Sequence, residues 1–266
     1  LFIKDSRGMQ PWATALSEKA DAERDAAWER QAAAAFHDAF FDQTTGTYGS
    51  QAANDMALEF GIVPEADRAR VAEALNRDVL DTWGGHFSVG ALGHRWLYPA
   101  LADNGYVDTA FNVFHAKGHP GFHYLFDELN GTSLWERKGA FDPETMKQPT
   151  RSLSHPFQGG YDAWFFLGLG GIRPDPQHPG FKRVILRPCF PRALEWTDVE
   201  YDSPYGLVQS RWERKGDSLT WEVTLPPNTT GILQPLGRQT MKDGKRIDSS
   251  VPYMLSNGTH RLIVSP

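Results

Sequence analysis

A single cysteine, Cys189, stands in a chain of 266 residues, so no internal disulfide can form and no thiolate cage can hold a metal. No apolar run approaches the roughly 20 residues that a membrane-spanning helix needs, which argues against a membrane partner. The 9 histidines never fall in an HExxH spacing, and neither a glycine-rich phosphate loop nor a GxSxG elbow is present. No metal and no cofactor is therefore expected. Positive charge is in deficit, with 27 Lys and Arg against 33 Asp and Glu, and the net charge of -6 argues against a nucleic-acid partner. The opening LFIKDSRGMQ carries neither an initiator methionine nor a signal peptide. The chain is thus expected to be a piece of something longer, and its compartment (periplasmic or secreted, or cytoplasmic) stays open.

What is present reads as globular. At 40% hydrophobic and 23% charged, the composition excludes wholesale disorder. Residues 11–41 are Ala-rich and densely charged and predict one long helix, with Pro11 in its first turn. Residues 50–60 predict a second helix, and residues 65–81 a third, with Val71, Leu75 and Val79 on one face. A Gly-punctuated loop, GGHFSVG, follows around His86. Short helical segments are expected over 94–102, 106–115, 121–129 and 157–169. At Gly170 the character changes: GGIRPDPQHPG stops helices and reads as a junction. Beyond it the period is two, most cleanly at Leu219, Trp221, Val223 and Leu225, with a hairpin turn at 215–217. A phase slip between Trp196 and Val199 predicts a β-bulge, and the alternation places Trp196, Trp212 and Trp221 inside. The expected fold is α+β and multidomain: an all-α part over 1–172, then an antiparallel β-sandwich over 173–266.

Chemistry concentrates in residues 131–160, GTSLWERKGAFDPETMKQPTRSLSHPFQGG. Glu136 lies between Trp135 and Arg137, and His155 follows after a polar loop. An indole packs on the apolar face of a pyranose and a carboxylate handles a proton, so these groups suit a sugar-cleaving pocket. They also suit a helix end with a surface Glu136–Arg137 pair and a core histidine, the commoner use of lone acids and histidines. His86 fits a pocket lining or a structural hydrogen bond in its loop.

Several segments, in order and in register over most of 45–230, resemble the C-terminal part of the bacterial α-L-rhamnosidases of glycoside hydrolase family 78. They are TGTYGSQAANDMALEFGIVP (45–64), GGHFSVGALG (84–93), LYPALADNGYVDTAF (97–111), TSLWER (132–137), the Ser154–His155 pair, GGIRPDPQHPGFKRVILRP (170–188), SPYGLVQSRWER (203–214) and LTWEVTLPPNTT (219–230). The resemblance implies the later helices of an (α/α)6 toroid followed by a β-sandwich, acting on a rhamnoside by inversion. Inverting enzymes hold a general acid and a general base about 6.5–9.5 Å apart. By the resemblance Glu136 is the general base, His155 contacts the sugar, and Trp135 matches the aromatic before the base. The interval from Glu136 to His155 is 19 residues, about two shorter than the family pattern. The family's acid-bearing Arg-Asp-Glu-Arg segment has no counterpart. Asp127, Glu128, Asp142 and Glu144 are candidates for the acid by proximity alone. The N-terminal remainder of the same enzyme is accordingly an expected partner, and the isolated chain is expected to have little hydrolase activity. A non-catalytic sugar-binding or scaffolding module, and an (α/α)6 hydrolase of another sugar, are the alternatives.

Overall fold

The computed structural model describes residues 2–136, 152–248 and 250–265. Its contacts divide the chain into two units, Leu1–Gly160 and Tyr161–Pro266.

The first unit is built of helical hairpins. In place of one long helix over 11–41 there are two, α1 (Phe2–Ala15) and α2 (Lys19–Phe40). The break is a left-handed residue, Ser17 (φ 63°), with Glu18 N–H bonded to Ala13 O and Ser17 N–H to Thr14 O. This pair of bonds terminates a helix by turning the chain back. No glycine marks the stop, and Pro11 lies inside α1. The two helices are tied by Arg7 Nε and Gln10 Nε2, each donating to a Glu29 carboxylate oxygen at 2.6 Å, and by Phe2 against Trp28.

Helix α3 (Gln51–Glu59) starts at Ser50, whose Oγ accepts from Ala53 N–H at 3.2 Å, an N-cap. Its first turn anchors two loops. Asn54 Oδ1 accepts from Tyr48 N–H, and Gln51 Oε1 accepts from Ser88 N–H at 2.6 Å. The Tyr48 hydroxyl meets His37 Nδ1 at 2.7 Å, and burial, then the Asp67 carboxylate, push the phenol up to about 12. Helix α4 (Glu65–Arg77) runs on into a wider turn, Asp78–Thr82, and Val71, Leu75 and Val79 are fully buried as their spacing predicts. Helices α5 (Leu97–Ala102) and α6 (Val107–Asn112) complete the core with Leu97, Tyr98 and Leu101.

One group in this core has no outlet. Asp55, on α3, is wholly buried, and neither carboxylate oxygen has a hydrogen-bond partner among the described residues. Burial pushes its carboxyl well above the usual carboxylate range; the adjacent Met56 backbone N–H pulls the other way without reaching hydrogen-bonding geometry, and the Glu59 charge adds to the rise. The folded state therefore binds a proton that the unfolded chain releases near pH 4. Stability is full below about pH 4 and falls by up to about 1.4 kcal/mol per pH unit until the folded pKa is passed. Asp55→Asn is expected to remove that slope; urea titrations at half-unit intervals between pH 4 and 8 measure it. An unchanged slope in Asp55→Asn would assign the effect to another group.

The second unit begins with the turns Asp162–Trp164 and Phe165–Leu169 and continues as two sheets. One has the order β1 (Ile172–Pro174), β2 (Arg183–Leu186), β6 (Thr230–Leu233), β9 (Tyr253–Leu255). The other runs β3 (Trp196–Ser203), β4 (Gly206–Lys215), β5 (Ser218–Leu225), β10 (Gly258–Ser265), β7 (Gln239–Lys242), β8 (Lys245–Ile247). Pairing is antiparallel except between β2 and β6, which run parallel with Arg183 opposite Thr230. A shared core of Val184, Leu186, Trp212, Trp221, Val223, Leu262 and Val264 lies between the sheets. The two indoles of this core are satisfied: Trp212 N–H donates to Leu169 O and Trp221 N–H to Ser210 Oγ, each at 2.9 Å.

Two expectations fail on β3. It pairs with β4 one residue to one residue from Trp196–Glu213 to Ser203–Gly206, so there is no bulge. Trp196 is 61% exposed. The inward row starts one residue later, at Thr197, and the apparent phase slip is Trp196 facing out. The outward face carries charge alternating across strands, with Asp198 opposite Arg211, Arg211 opposite Glu222 and Glu222 opposite Arg261. Opposite charges on facing positions stabilise a solvated sheet face. At the junction, Asp175 is buried against Arg183 Nε and accepts from Gln177 N–H at 2.9 Å. Burial works to raise its carboxyl, yet these bonds and the Arg183 charge hold it below the usual range.

Candidate active site

The segment bearing Glu136 leaves a helical turn, Tyr124–Glu128, whose Leu125 is fully buried. Asn130 takes φ 53°, and Gly131 N–H then returns to Leu125 O at 2.9 Å. A Cβ on Gly131 would sit 2.8 Å from that carbonyl oxygen, so only glycine lets the chain double back this closely.

Residues 133–136 then run beside residues 152–155 in a short ladder. Glu136 N–H donates to Ser152 O at 3.0 Å, and His155 N–H donates to Leu134 O at 2.7 Å. Ser133 Oγ adds a bond to Leu153 O at 2.5 Å. The Glu136 carboxylate turns back on the ladder, its Oε2 accepting from Ser152 N–H at 3.3 Å. Ser152 Oγ accepts from Ser154 N–H at 3.1 Å and donates to Ser154 O at 2.7 Å, shaping the limb that ends in His155. An acid and an imidazole 19 residues apart in sequence thus lie on facing limbs. Trp135, Glu136 and His155 are all half-buried. The His155 Nδ1 is shielded from solvent with no hydrogen-bond partner among the described residues, and its ring meets Phe157 edge-on at 6.4 Å.

His86 is placed differently. Its Nδ1 lies 2.9 Å from Trp83 O and its Nε2 2.9 Å from Lys117 O, so both ring nitrogens close backbone loops. Of the candidate acids, Asp127 pairs with His123 Nδ1 at 2.5 Å, and Glu128 is exposed. Asp142, Glu144 and Arg137 lie outside the described residues. Among the described residues no three His, Cys, Asp or Glu side chains gather to hold a metal ion, and no helix is long and apolar enough to cross a membrane.

Ser152, which meets Glu136 through its backbone N–H and C=O, carries no sequence signal of its own beyond its place in the Ser-x-Ser-His run.

Residues 1–169 match the bacterial α-L-rhamnosidase six-hairpin glycosidase domain, and residues 171–246 match the bacterial α-L-rhamnosidase C-terminal domain. An α-L-rhamnosidase of Formosa agariphila is 34% identical over 203 residues, covering 75% of this chain and 21% of that protein. One of Streptomyces avermitilis is 28% identical over 183 residues, covering 68% of this chain and 17% of that protein. Among solved structures, the Streptomyces avermitilis α-L-rhamnosidase complexed with L-rhamnose superposes with a TM-score of 0.84 at 24% identity, over 99% of this chain and 26% of that one. The α-L-rhamnosidase from Dictyoglumus thermophilum gives 0.86 at 20% identity, over 99% of this chain and 31% of that one. The chain thus spans about a fifth of the length of the curated relatives it matches. The match over residues 1–169 places the chain in the bacterial α-L-rhamnosidase six-hairpin glycosidase family, with that family's C-terminal domain following at residues 171–246.

Proposed function

We propose that this chain is the C-terminal portion of an inverting glycoside hydrolase that removes terminal α-L-rhamnosyl residues. Glu136 is its general base, and it deprotonates the water that attacks the anomeric carbon. His155 and Trp135 contact the sugar, the first by hydrogen bonding and the second by its ring face. His86 contributes through its loop, since both its ring nitrogens lie against backbone carbonyls, at 2.9 Å from Trp83 O and from Lys117 O. The observation that carries the reading is the ladder, which sets Glu136 and His155 on adjoining limbs. The named rhamnosidases among the relatives supply the sugar class. A sugar-binding module on the sheets has less support, because of the three tryptophans Trp212 and Trp221 are fully buried and only Trp196 is exposed.

The general acid belongs to upstream hairpins in this reading. General acid assistance is worth about 10²–10⁴-fold, so the chain alone is expected to be slower than the full-length enzyme by at least that factor. The test is hydrolysis of an aryl α-L-rhamnoside by the full-length enzyme, followed by proton NMR. β-L-Rhamnose is expected as the first-formed anomer. First release of the α-anomer would sink the inverting mechanism, and no release would sink the activity.

A further inference from the structure

Gln158 is 2% exposed and lies directly behind the ladder. It sits in the short helical stretch Pro156–Tyr161, which fixes where its side chain begins. Its Nε2 donates to the backbone oxygen of Glu136 at 2.5 Å. Its own backbone N–H donates to the backbone oxygen of His155 at 3.0 Å. One buried residue therefore holds the carbonyls of both limbs.

The remaining backbone groups of those two residues are also committed. Glu136 N–H goes to Ser152 O, and His155 N–H to Leu134 O. With N–H and C=O both fixed, the peptide planes on either side of each Cα cannot rotate freely. The direction of the Cα–Cβ bond is then set, and with it the origin from which the carboxylate and the imidazole are aimed. Of these bonds, the one to the Glu136 carbonyl alone comes from a side chain, so it can be removed by substitution without altering the backbone.

We infer that Gln158 is a positioning residue of the hydrolytic site, its carboxamide fixing the aim of Glu136 relative to His155. The inference rests on the reading of Glu136 as general base. A misplacement of about 1 Å in a reacting group can cost about 10²-fold in rate, so a backbone clamp of this kind acts on turnover more than on binding.

The test uses the full-length enzyme carrying Gln158→Met, which keeps the length and loses the donor. The expected result is a fall in kcat of about 10–100-fold with KM within about threefold. Backbone amide exchange in peptides covering 133–136 and 152–158 should rise about tenfold or more, with peptides around Val71 and Leu75 unchanged. A merely structural role would move exchange throughout the helical unit or shift kcat and KM together. Wild-type kcat with unchanged local exchange would overturn the assignment. Should Gln158→Met fail to fold, Gln158→Asn decides: it keeps a carboxamide but withdraws it by one methylene. Lowered kcat at an unchanged Tm supports the clamp, and full kcat at that Tm overturns it. The exchange readout judges the clamp independently of chemistry, so a fully active Glu136→Gln enzyme would remove the general base and leave the clamp to stand or fall by itself.

Discussion

Glu136→Gln in the full-length enzyme is expected to lower kcat by about 10²–10⁴-fold while KM stays within about threefold. The side chains have the same shape, and the glutamine oxygen can still accept from Ser152 N–H, where the carboxylate Oε2 lies at 3.3 Å. Folding and the ladder are thus preserved. What disappears is the capacity to take a proton from water, which an amide lacks in the pH range where enzymes work. A loss confined to kcat is the signature of an interaction made in the transition state. An anionic nucleophile such as azide needs no deprotonation, so it should restore turnover in Glu136→Gln. It would attack the anomeric carbon from the face the water uses, the aglycone would depart with the proton from the general acid, and the product would be the β-glycosyl azide. Near wild-type hydrolysis by Glu136→Gln, or azide rescue with retained α-configuration, would remove Glu136 from the role.

Local features of the fold were readable in the sequence and non-local ones were not. Val71, Leu75 and Val79 recur on one face because a helix buries one side, and all three are fully buried. The alternation Leu219, Trp221, Val223, Leu225 follows from the two-residue pleat, and all four are inside. The break at Ser17 was invisible because a serine occupies the left-handed position that glycine usually marks. Contacts between residues far apart, Arg7 with Glu29 and Phe2 with Trp28, hold the two helices together there. The parallel pairing of β2 with β6 joins Arg183 to Thr230 across intervening strands, and no periodicity within either segment encodes it. The alternation points the wrong way at Trp196 because the inward row of its strand starts one residue later, at Thr197, and the pleat turns Trp196 outward. The candidate site divides the same way. An acid beside an indole and a histidine after a polar loop stand out as residue types. Their adjacency depends on backbone bonds from residues such as Ser152, which any polar side chain could have occupied without changing the pattern.

Gly171→Ala is expected to cost more than about 4 kcal/mol and to abolish cooperative folding of the second unit, whereas Gly180→Ala should cost only about 1–2 kcal/mol. Both glycines adopt positive φ, 69° at Gly171 and 85° at Gly180, so both alanines would carry the left-handed penalty. The difference lies in what the added methyl meets. At Gly180 nothing lies within 4 Å of it. At Gly171 it would fall 2.1 Å from Pro188 N and 2.5 Å from Arg187 C. Those are backbone atoms, and they cannot swing aside as a side chain would. Arg187 N–H also donates to Gly171 O at 2.9 Å, so the two strands are hydrogen-bonded where they would have to separate. Next to this point Ile172 pairs with Leu186, two members of the shared core, and parting β1 from β2 would pull both out of it. A domain stable by about 5–15 kcal/mol has little margin for that loss. Urea-dependent amide exchange in peptides covering Trp212 and Trp221, both fully buried in that core, reads the outcome. An unfolding free energy for Gly171→Ala within about 1 kcal/mol of that for Gly180→Ala would show that the strands yield, and that the close approach at Gly171 is not what fixes the start of the sheet.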